Sequence, residues 1–177
     1  MGKIKEHPVW EVYDLHRDCR LNVKYWSKKL VRVRRINLAM EYLILLTAPG
    51  SAVAGLVFWE TANGKTVWMI LTTLTALIGI GKPLLKLSDK VADIQGIVTH
   101  YRSLDNQLKE IGNDIRRENE YSPAMVSTFK SIARQTDRIS ASEPIEEIDA
   151  NLQKSCFEQV NIELPDTIFY VPSNQND

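Results

Sequence analysis

Cysteine and histidine are scarce in this chain, which has two cysteines and three histidines among 177 residues. Cys19 and Cys156 lie far apart and form no CxxC motif, so the sequence offers no disulfide framework and favours reduced thiols in a cytoplasmic setting. His16 and Cys19 lie one helical turn apart, as in half of a metal site, but no second pair at a usable spacing completes it. We therefore predict a surface pair at His16 and Cys19, an exposed imidazole at His100, and no metal site.

Net charge and catalytic motifs are also absent. Basic and acidic residues both number 22, which argues against a nucleic-acid-binding protein defined by its overall charge. The chain has no GxxxxGKS/T, no GxGxxG after a strand, no GxSxG and no HExxH. The sequence therefore predicts no enzyme, no catalytic residue, no cofactor and no nucleic-acid partner. The carboxylates that alternate with bases after the apolar region predict a solvated helix face: Asp89, Asp93, Asp105, Asp114 and Glu118.

Charged residues are missing from two long apolar runs. The first run, 42–59, would be roughly 27 Å long as a helix, which is close to the hydrocarbon thickness of a bilayer. A short connection that contains Asn63-Gly64, a strong turn signal, leads to the second run, 66–81, and the predicted second span, 66–85, continues past Lys82. These features predict an all-α membrane protein with a two-helix transmembrane hairpin in residues 38–87.

Two other interpretations of these runs exist. Because each run is near the lower length limit for a membrane span, both also fit buried helices of a soluble all-α domain. Ala52-Val53-Ala54 resembles the end of a signal peptide, but about 40 residues precede the apolar run and the run continues to Trp59. The hairpin is the interpretation that the sequence favours.

Basic residues are concentrated on the outer flanks of the predicted hairpin, whereas its connecting loop contains only Lys65. Because cytoplasmic flanks of membrane helices are enriched in lysine and arginine, both termini are predicted to be cytoplasmic. The flanking basic residues are Arg32, Arg34, Arg35, Lys82, Lys86 and Lys90.

Four residues are predicted to lie at the membrane interface. Trp59 and Trp68 are next to the connecting loop, and indole side chains favour the interface. Glu41 and Lys82 are at the opposite end of the hairpin. Glu41 is expected to pair with Arg34 or Lys82, and the alternative for this carboxylate is a selectivity or proton-sensitive role.

Small and hydroxylated residues recur in both runs. Ser51 and Gly55, and likewise Thr75 and Gly79, are four residues apart, a spacing that lets helix backbones approach closely. Thr72 shares the helix face of Thr75 and Gly79. This face either packs within the hairpin, which is favoured, or lines an aqueous path in an oligomer.

Apolar residues beyond the second run recur at spacings of three and four, the pattern of a packing seam. We expect one helix to continue from the membrane to about Glu118. Its seam is expected to pack against an antiparallel, basic and amphipathic N-terminal helix within residues 1–37, and against other protomers. The seam residues are Leu87, Val91, Ile94, Val98, Tyr101, Leu104, Leu108 and Ile111.

Further helices are predicted towards the C-terminus. Ser122-Pro123 is typical of an N-cap and the first residue of a helix, and Ser142 is interpreted as the N-cap of a shorter helix. Residues 88–160 are thus predicted to be a cytoplasmic helical region, followed by an extended tail over 161–177. In that tail, 168–171 fits either a docking strand or a segment packed on its own domain.

The order of these parts resembles a known family. A basic, aromatic N-terminal helix (YWSKKLVRVRR), two close membrane runs and a long charged helix together cover about Trp10 to Glu118. This plan resembles the SLATT family, the SMODS- and SLOG-associating two-transmembrane effectors of bacterial nucleotide-signalled defence. The resemblance implies an effector that oligomerises and permeabilises the bacterial inner membrane after a cytoplasmic partner senses infection.

The expected function is therefore that of a pore-forming or membrane-disrupting defence effector. Its expected partners are the lipid bilayer, further copies of the chain and a cytoplasmic sensor or nucleotide-signalling protein. The alternative is a membrane-anchored scaffold or sensor subunit that forms no pore and docks a cytoplasmic partner. A membrane-tethered hydrolase or nuclease has no residue constellation to support it.

Overall fold

The structure is a computed structural model that describes residues 7–46, 62–144 and 148–172. In these ranges the regular elements are five α-helices and one 3₁₀-helix, with no strand, which confirms the all-α prediction. The elements are α1 (Val9–Leu46), α2 (Ala62–Leu85), α3 (Leu87–Glu118), α4 (Pro123–Ala141), α5 (Ala150–Glu163) and the 3₁₀-helix Asp166–Ile168.

The chain divides into two units. The core unit comprises Met1–Lys28 and Ile94–Asp177, and the apolar unit comprises Lys29–Asp93. α1 and α3 each contribute residues to both units, α2 belongs to the apolar unit, and α4 and α5 belong to the core unit.

α1 and α3 pack antiparallel in the core unit. Near the start of α1, the Tyr13 ring lies against Gly112, where a Cβ would be 3.4 Å from Cε1 of the tyrosine. One and two turns further along α1, His16 and Arg20 contact Asp105, which is earlier in α3. Position along α1 therefore rises as position along α3 falls, in agreement with the antiparallel partner that the seam predicts.

Local capping chemistry fixes the ends of α4 and α5. The Ser122 hydroxyl accepts a hydrogen bond from the Met125 amide at 3.4 Å, and Pro123 is the first helical residue, as predicted. The prediction for Ser142 is wrong, because this residue ends α4 and its hydroxyl donates to the Ile139 carbonyl at 2.8 Å. The N-cap of the next helix is Asp149.

The predicted continuous helix to Glu118 is interrupted at Lys86. Lys86 has a φ of 43°, and this left-handed conformation separates α2 from α3. Such a conformation costs an L-residue about 1–2 kcal/mol, and no glycine marks the position in the sequence. α3 ends at Glu118 as predicted, and Asn119, with a φ of 53°, has the left-handed conformation common just beyond a helix.

The C-terminal segment packs on the core unit as far as residue 172, and 173–177 lie outside the described residues. α5 continues to Glu163, so the described part of the predicted tail begins with helix. The Phe169 ring stacks on Tyr13 with 4.3 Å between centroids, and the Tyr13 hydroxyl donates to the Tyr170 carbonyl at 2.6 Å. Of the two interpretations of 168–171, these contacts favour packing on its own domain.

Candidate functional site

One helix in the described part of the chain is long and apolar enough to cross a membrane, the Asn63–Lys82 segment of α2, and 6% of it is buried. It overlaps the second predicted span, 66–85. Most of the first predicted span, 42–59, lies outside the described residues, which end at Leu46 in this region. Six large apolar side chains of α2 are 44–69% exposed: Val67, Met69, Ile70, Leu74, Leu77 and Ile80.

Three of the four threonines of α2 satisfy their hydroxyl groups within the helix. Thr72, Thr73 and Thr75 each donate to the carbonyl oxygen four residues earlier, at 2.9, 2.8 and 2.9 Å. In hydrocarbon, where water is absent, polar groups must find partners inside the protein. These three hydroxyls therefore make the surface of α2 compatible with a lipid environment.

The predicted small-residue face of α2 is open. Thr72 and Gly79 are exposed and Thr75 is half-buried. Among the described residues, no heavy atom outside the helix backbone lies within 4 Å of the position that a Cβ would take at Gly79. Ser51 and Gly55, the corresponding residues of the first span, lie outside the described residues.

Two of the four predicted interface residues form an ion pair. Lys82 Nζ lies 2.9 Å from Oε1 of Glu41, which also accepts a hydrogen bond from the Asn37 amide at 3.1 Å. The contact brings the start of the first apolar run beside the end of the second. Trp68 is half-buried, and Trp59 lies outside the described residues.

The seam of α3 is used within the chain itself. Leu87 and Val91, in the apolar unit, are half-buried. The remaining seam residues are 1–5% exposed in the core unit, so none of them offers an accessible side chain to another protomer: Ile94, Val98, Tyr101, Leu104, Leu108 and Ile111.

A polar cluster lies in the core between α1 and α3. The Asp105 carboxylate is buried, with Oδ2 3.2 Å from Nη1 of Arg20 and Oδ1 3.2 Å from Nε2 of the buried His16. These distances are short enough for ion pairs, but the N–H groups of the arginine and histidine are not aligned with the carboxylate oxygens for hydrogen bonds. Oδ1 of the aspartate, Nε2 of the histidine and Nε of the arginine are buried and have no hydrogen-bond partner in the described part of the chain.

This cluster corrects two sequence predictions. Asp105 does not belong to a solvated face, because it lies four residues after Tyr101 and three before Leu108, on the buried side of α3. His16 and Cys19 are not a surface pair, since both are buried against α3 and its neighbours. The signal available in the sequence was the register of Asp105 within the seam, where a lone carboxylate requires a cationic partner.

The two cysteines are free and buried. Cys19 Sγ lies 3.9 Å from Oγ1 of Thr136, and burial raises the pKa of the Cys19 thiol to about 12. In the described ranges, no group of three or more His, Cys, Asp or Glu residues is arranged to hold a metal ion. His100 is exposed, as predicted.

Glu143 connects three helices of the core unit. Its Oε1 accepts hydrogen bonds from Nε1 of Trp26 at 3.0 Å and from the Tyr101 hydroxyl at 2.7 Å. Burial, followed by the Glu143 carboxylate, raises the pKa of Tyr101. A residue just after α4 thereby fixes α1 and α3 to each other.

The described residues thus offer an apolar helix with six exposed large apolar side chains and a core unit with an internal polar cluster. Comparison of the chain with protein-family models, with curated proteins and with solved structures finds no match.

Proposed function

We propose that this protein is a membrane effector whose hairpin, 38–87, crosses the bacterial inner membrane and, in an oligomer, forms a pore or disrupts the bilayer. The main support is the exposed apolar surface of α2. Six large apolar side chains that are about half to two-thirds exposed represent on the order of 5 to 10 kcal/mol of unfavourable contact with water. Transfer of α2 into hydrocarbon removes that contact.

The polar groups of α2 support the same environment. The hydroxyls of Thr72, Thr73 and Thr75 donate to backbone carbonyls of their own helix, so their transfer leaves no unsatisfied donor. Segment Asn63–Lys82 spans about 30 Å as an α-helix, the thickness of the hydrocarbon core.

The Glu41–Lys82 ion pair supports a hairpin with both outer ends on one side of the membrane. A first span that starts beside the end of the second must return across the same thickness. The basic flanks before residue 36 and after residue 81 favour the cytoplasm for that side. Both termini and the core unit are then cytoplasmic.

The open face of Thr72, Thr75 and Gly79 supports assembly of several copies. A helix surface without a side chain at Gly79 lets a second helix approach closely, and close approach is the main source of attraction between helices in lipid. A measurement of the permeability of the assembled protein distinguishes the two roles of this face: packing against the first span or lining an aqueous path.

The resemblance to SLATT proteins extends the proposal to bacterial defence. In that setting a cytoplasmic sensor or nucleotide-signalling partner triggers assembly, and membrane damage arrests infection. The effector acts by changing permeability and not by catalysis.

The alternative function is a membrane-anchored scaffold or sensor subunit. It is favoured by the burial inside the core unit of the six seam residues from Ile94 to Ile111, which leaves this part of the seam unavailable for oligomer contacts. In this function the hairpin is only an anchor, and the core unit docks a partner.

Reconstitution into vesicles tests both functions. The full chain is inserted into phosphatidylethanolamine–phosphatidylglycerol vesicles that hold a potassium gradient and an entrapped dye. The effector function predicts loss of the potassium potential that increases with the number of copies per vesicle, together with resistance of the protein to carbonate extraction.

A matched chain in which 38–87 is replaced by an unrelated two-helix hairpin is the control. It should insert equally and leave the potential intact if the native hairpin makes the pore. Inserted native protein that never changes the permeability, even at a copy number at which crosslinking shows assembly without the partner, contradicts the pore and leaves the anchor. Full release of the native protein by carbonate contradicts both.

A further inference from the structure

A cavity of about 300 Å³ opens in the core unit between the first turns of α1, the last turns of α3 and the segment 164–170. This volume is at the lower end of the range of small-molecule sites. Gly112 contributes to its wall, where the absence of a side chain leaves room. Basic and aromatic side chains dominate the remaining lining: Arg20, Lys109, Arg116, Tyr13, Phe169 and Tyr170.

The cavity has an excess of positive charge. No carboxylate of the described residues lines it. Arg20 is paired with Asp105 behind the wall, whereas Lys109 and Arg116 have no carboxylate partner in the described ranges. Burial raises the pKa of Tyr13, so its phenol stays neutral. Two positive charges therefore remain without compensation at the cavity.

The cavity wall is held in place by the chain's own hydrogen bonds. Arg116 Nη2 donates to the Ile168 carbonyl at 2.7 Å, and the Tyr13 hydroxyl donates to the Tyr170 carbonyl at 2.6 Å. The Tyr170 hydroxyl donates to the side-chain oxygen of Asn119. Segment 164–170 is thus fixed at several points before any ligand is present, which reduces the entropy that binding costs.

A buried donor at the cavity has no partner. Nε of Arg20 is shielded from solvent and makes no hydrogen bond to the described residues, a rare arrangement for a buried N–H group. The Arg20 side chain as a whole is 31% exposed and lines the cavity. Guanidinium groups bind phosphate in a fork geometry that suits a multidentate oxyanion.

We propose that this cavity binds a small organic molecule that carries a phosphate group. Lys109, Arg116 and Arg20 hold the phosphate, and the rings of Phe169 and Tyr170 contact the apolar or planar part. Phosphate is favoured over carboxylate because a dianion matches the two uncompensated charges.

Binding to the full chain in detergent micelles tests the site by titration calorimetry. The probes are phenyl phosphate, benzoate, in which a monoanionic carboxylate replaces the phosphate, and the neutral phenol. We expect saturable one-to-one binding of phenyl phosphate, binding of benzoate weaker by about tenfold, and none of phenol. Absence of saturable binding at millimolar phenyl phosphate overturns the site, and equal binding of benzoate overturns its preference for phosphate.

Two variants locate the binding. Lys109→Gln removes an exposed cation whose side chain makes no hydrogen bond or ion pair with the described residues, and should weaken the binding of phenyl phosphate by about tenfold. Lys130→Gln removes the same charge from the exposed side of α4 and should leave binding unchanged. Equal weakening by both variants assigns the binding to general surface charge and overturns the site.

Gly112→Leu places a larger side chain in the wall without a change of charge and should abolish binding. If this variant fails to fold, Lys109→Gln still decides the question. The site stands independently of the proposed function, since phosphate binding without any effect on permeability leaves the cavity assigned and contradicts only the pore.

Discussion

Asp105 and Arg20 form an ion pair across the interface of α1 and α3, with 3.2 Å between Oδ2 and Nη1. The carboxylate is buried, with 3% of its side chain exposed, whereas 31% of the arginine side chain is exposed. A buried carboxylate without a cation is strongly unfavourable. The pair therefore couples the position of α1 along α3 to electrostatics as well as to packing.

Asp105→Asn should destabilise the core unit. The substitution keeps the size of the side chain but removes the charge that faces Arg20, and we expect a loss of about 2 kcal/mol in the free energy of unfolding. For a chain of this size the Tm should fall by about 4–8 °C, measured by scanning fluorimetry of the full chain in detergent.

Asp114→Asn is the matched control on the same helix. Asp114 pairs with Arg117 at 2.9 Å, but both side chains are well exposed, and exposed pairs contribute about 0–1 kcal/mol. Its Tm should therefore fall by less than that of Asp105→Asn and by no more than about 4 °C. Similar shifts for the two variants would show that the burial of Asp105 has no energetic consequence.

Glu143→Ala should also lower the Tm. It removes the acceptor shared by Trp26 and the Tyr101 hydroxyl, and a buried donor that is left without an acceptor costs about 1–3 kcal/mol. Glu143→Gln retains an oxygen acceptor and should cost less. Glu120→Ala, at an exposed position, is the control for general loss of negative charge; a Tm change as large as that of Glu143→Ala would contradict the role assigned to Glu143.

The parts of the fold that depend on neighbouring residues in the chain could be predicted from the sequence. Ser122 and Pro123 predict the residue at which α4 begins. The apolar composition of 66–85 predicts a long apolar helix. The helix break at Lys86 and the helix end at Ser142 could not be predicted from the sequence. A left-handed lysine has no signature in the sequence, and serine is common at either end of a helix, so tertiary packing decides both.

The polar features of the core unit depend on contacts between distant segments. Asp105 is interpretable only when α1 brings Arg20 and His16 to it. In the same way, Lys109 and Arg116 are ordinary surface cations of a charged helix until segment 164–170 folds back and forms a cavity together with them. Periodicity within one helix therefore predicted the seam but neither the buried pair nor the cavity.

The Cys19 thiol should make stability sensitive to alkaline pH. Its pKa is raised by burial to about 12 in the folded state, against about 8.5 in an unfolded chain. Because the unfolded chain releases the proton first, the stabilisation is fully present below about pH 8.5 and declines as the pH rises towards 12, by about 1 kcal/mol per unit. Tm values from pH 8 to pH 11 should fall more steeply for the native chain than for Cys19→Ala.

Chemical modification checks the same thiol independently. Iodoacetamide reacts with thiolates, so the buried Cys19 and Cys156 should resist alkylation at pH 8 and react fully once the chain is denatured. Rapid alkylation of Cys19 in the folded protein, or parallel pH slopes for the native chain and Cys19→Ala, would be incompatible with a protonated buried thiol.

Gly79→Leu should reduce the permeabilisation of vesicles if copies of α2 assemble through the face of Thr72, Thr75 and Gly79. A leucine at Gly79 separates the helix backbones, and a loss of about one to two kcal/mol per contact corresponds to a reduction of about tenfold in assembled protein.

Gly81→Leu is a closely matched control. Position 81 is about 200° around the helix from position 79, its Cβ would also meet no heavy atom of the described residues within 4 Å, and both substitutions increase helix propensity to the same extent. Potassium release and resistance to carbonate extraction are measured for each variant, so that lost insertion is not mistaken for lost assembly. An effect of equal size at both positions would show that no particular face of α2 mediates assembly, and the membrane anchor would then be the better account of the hairpin.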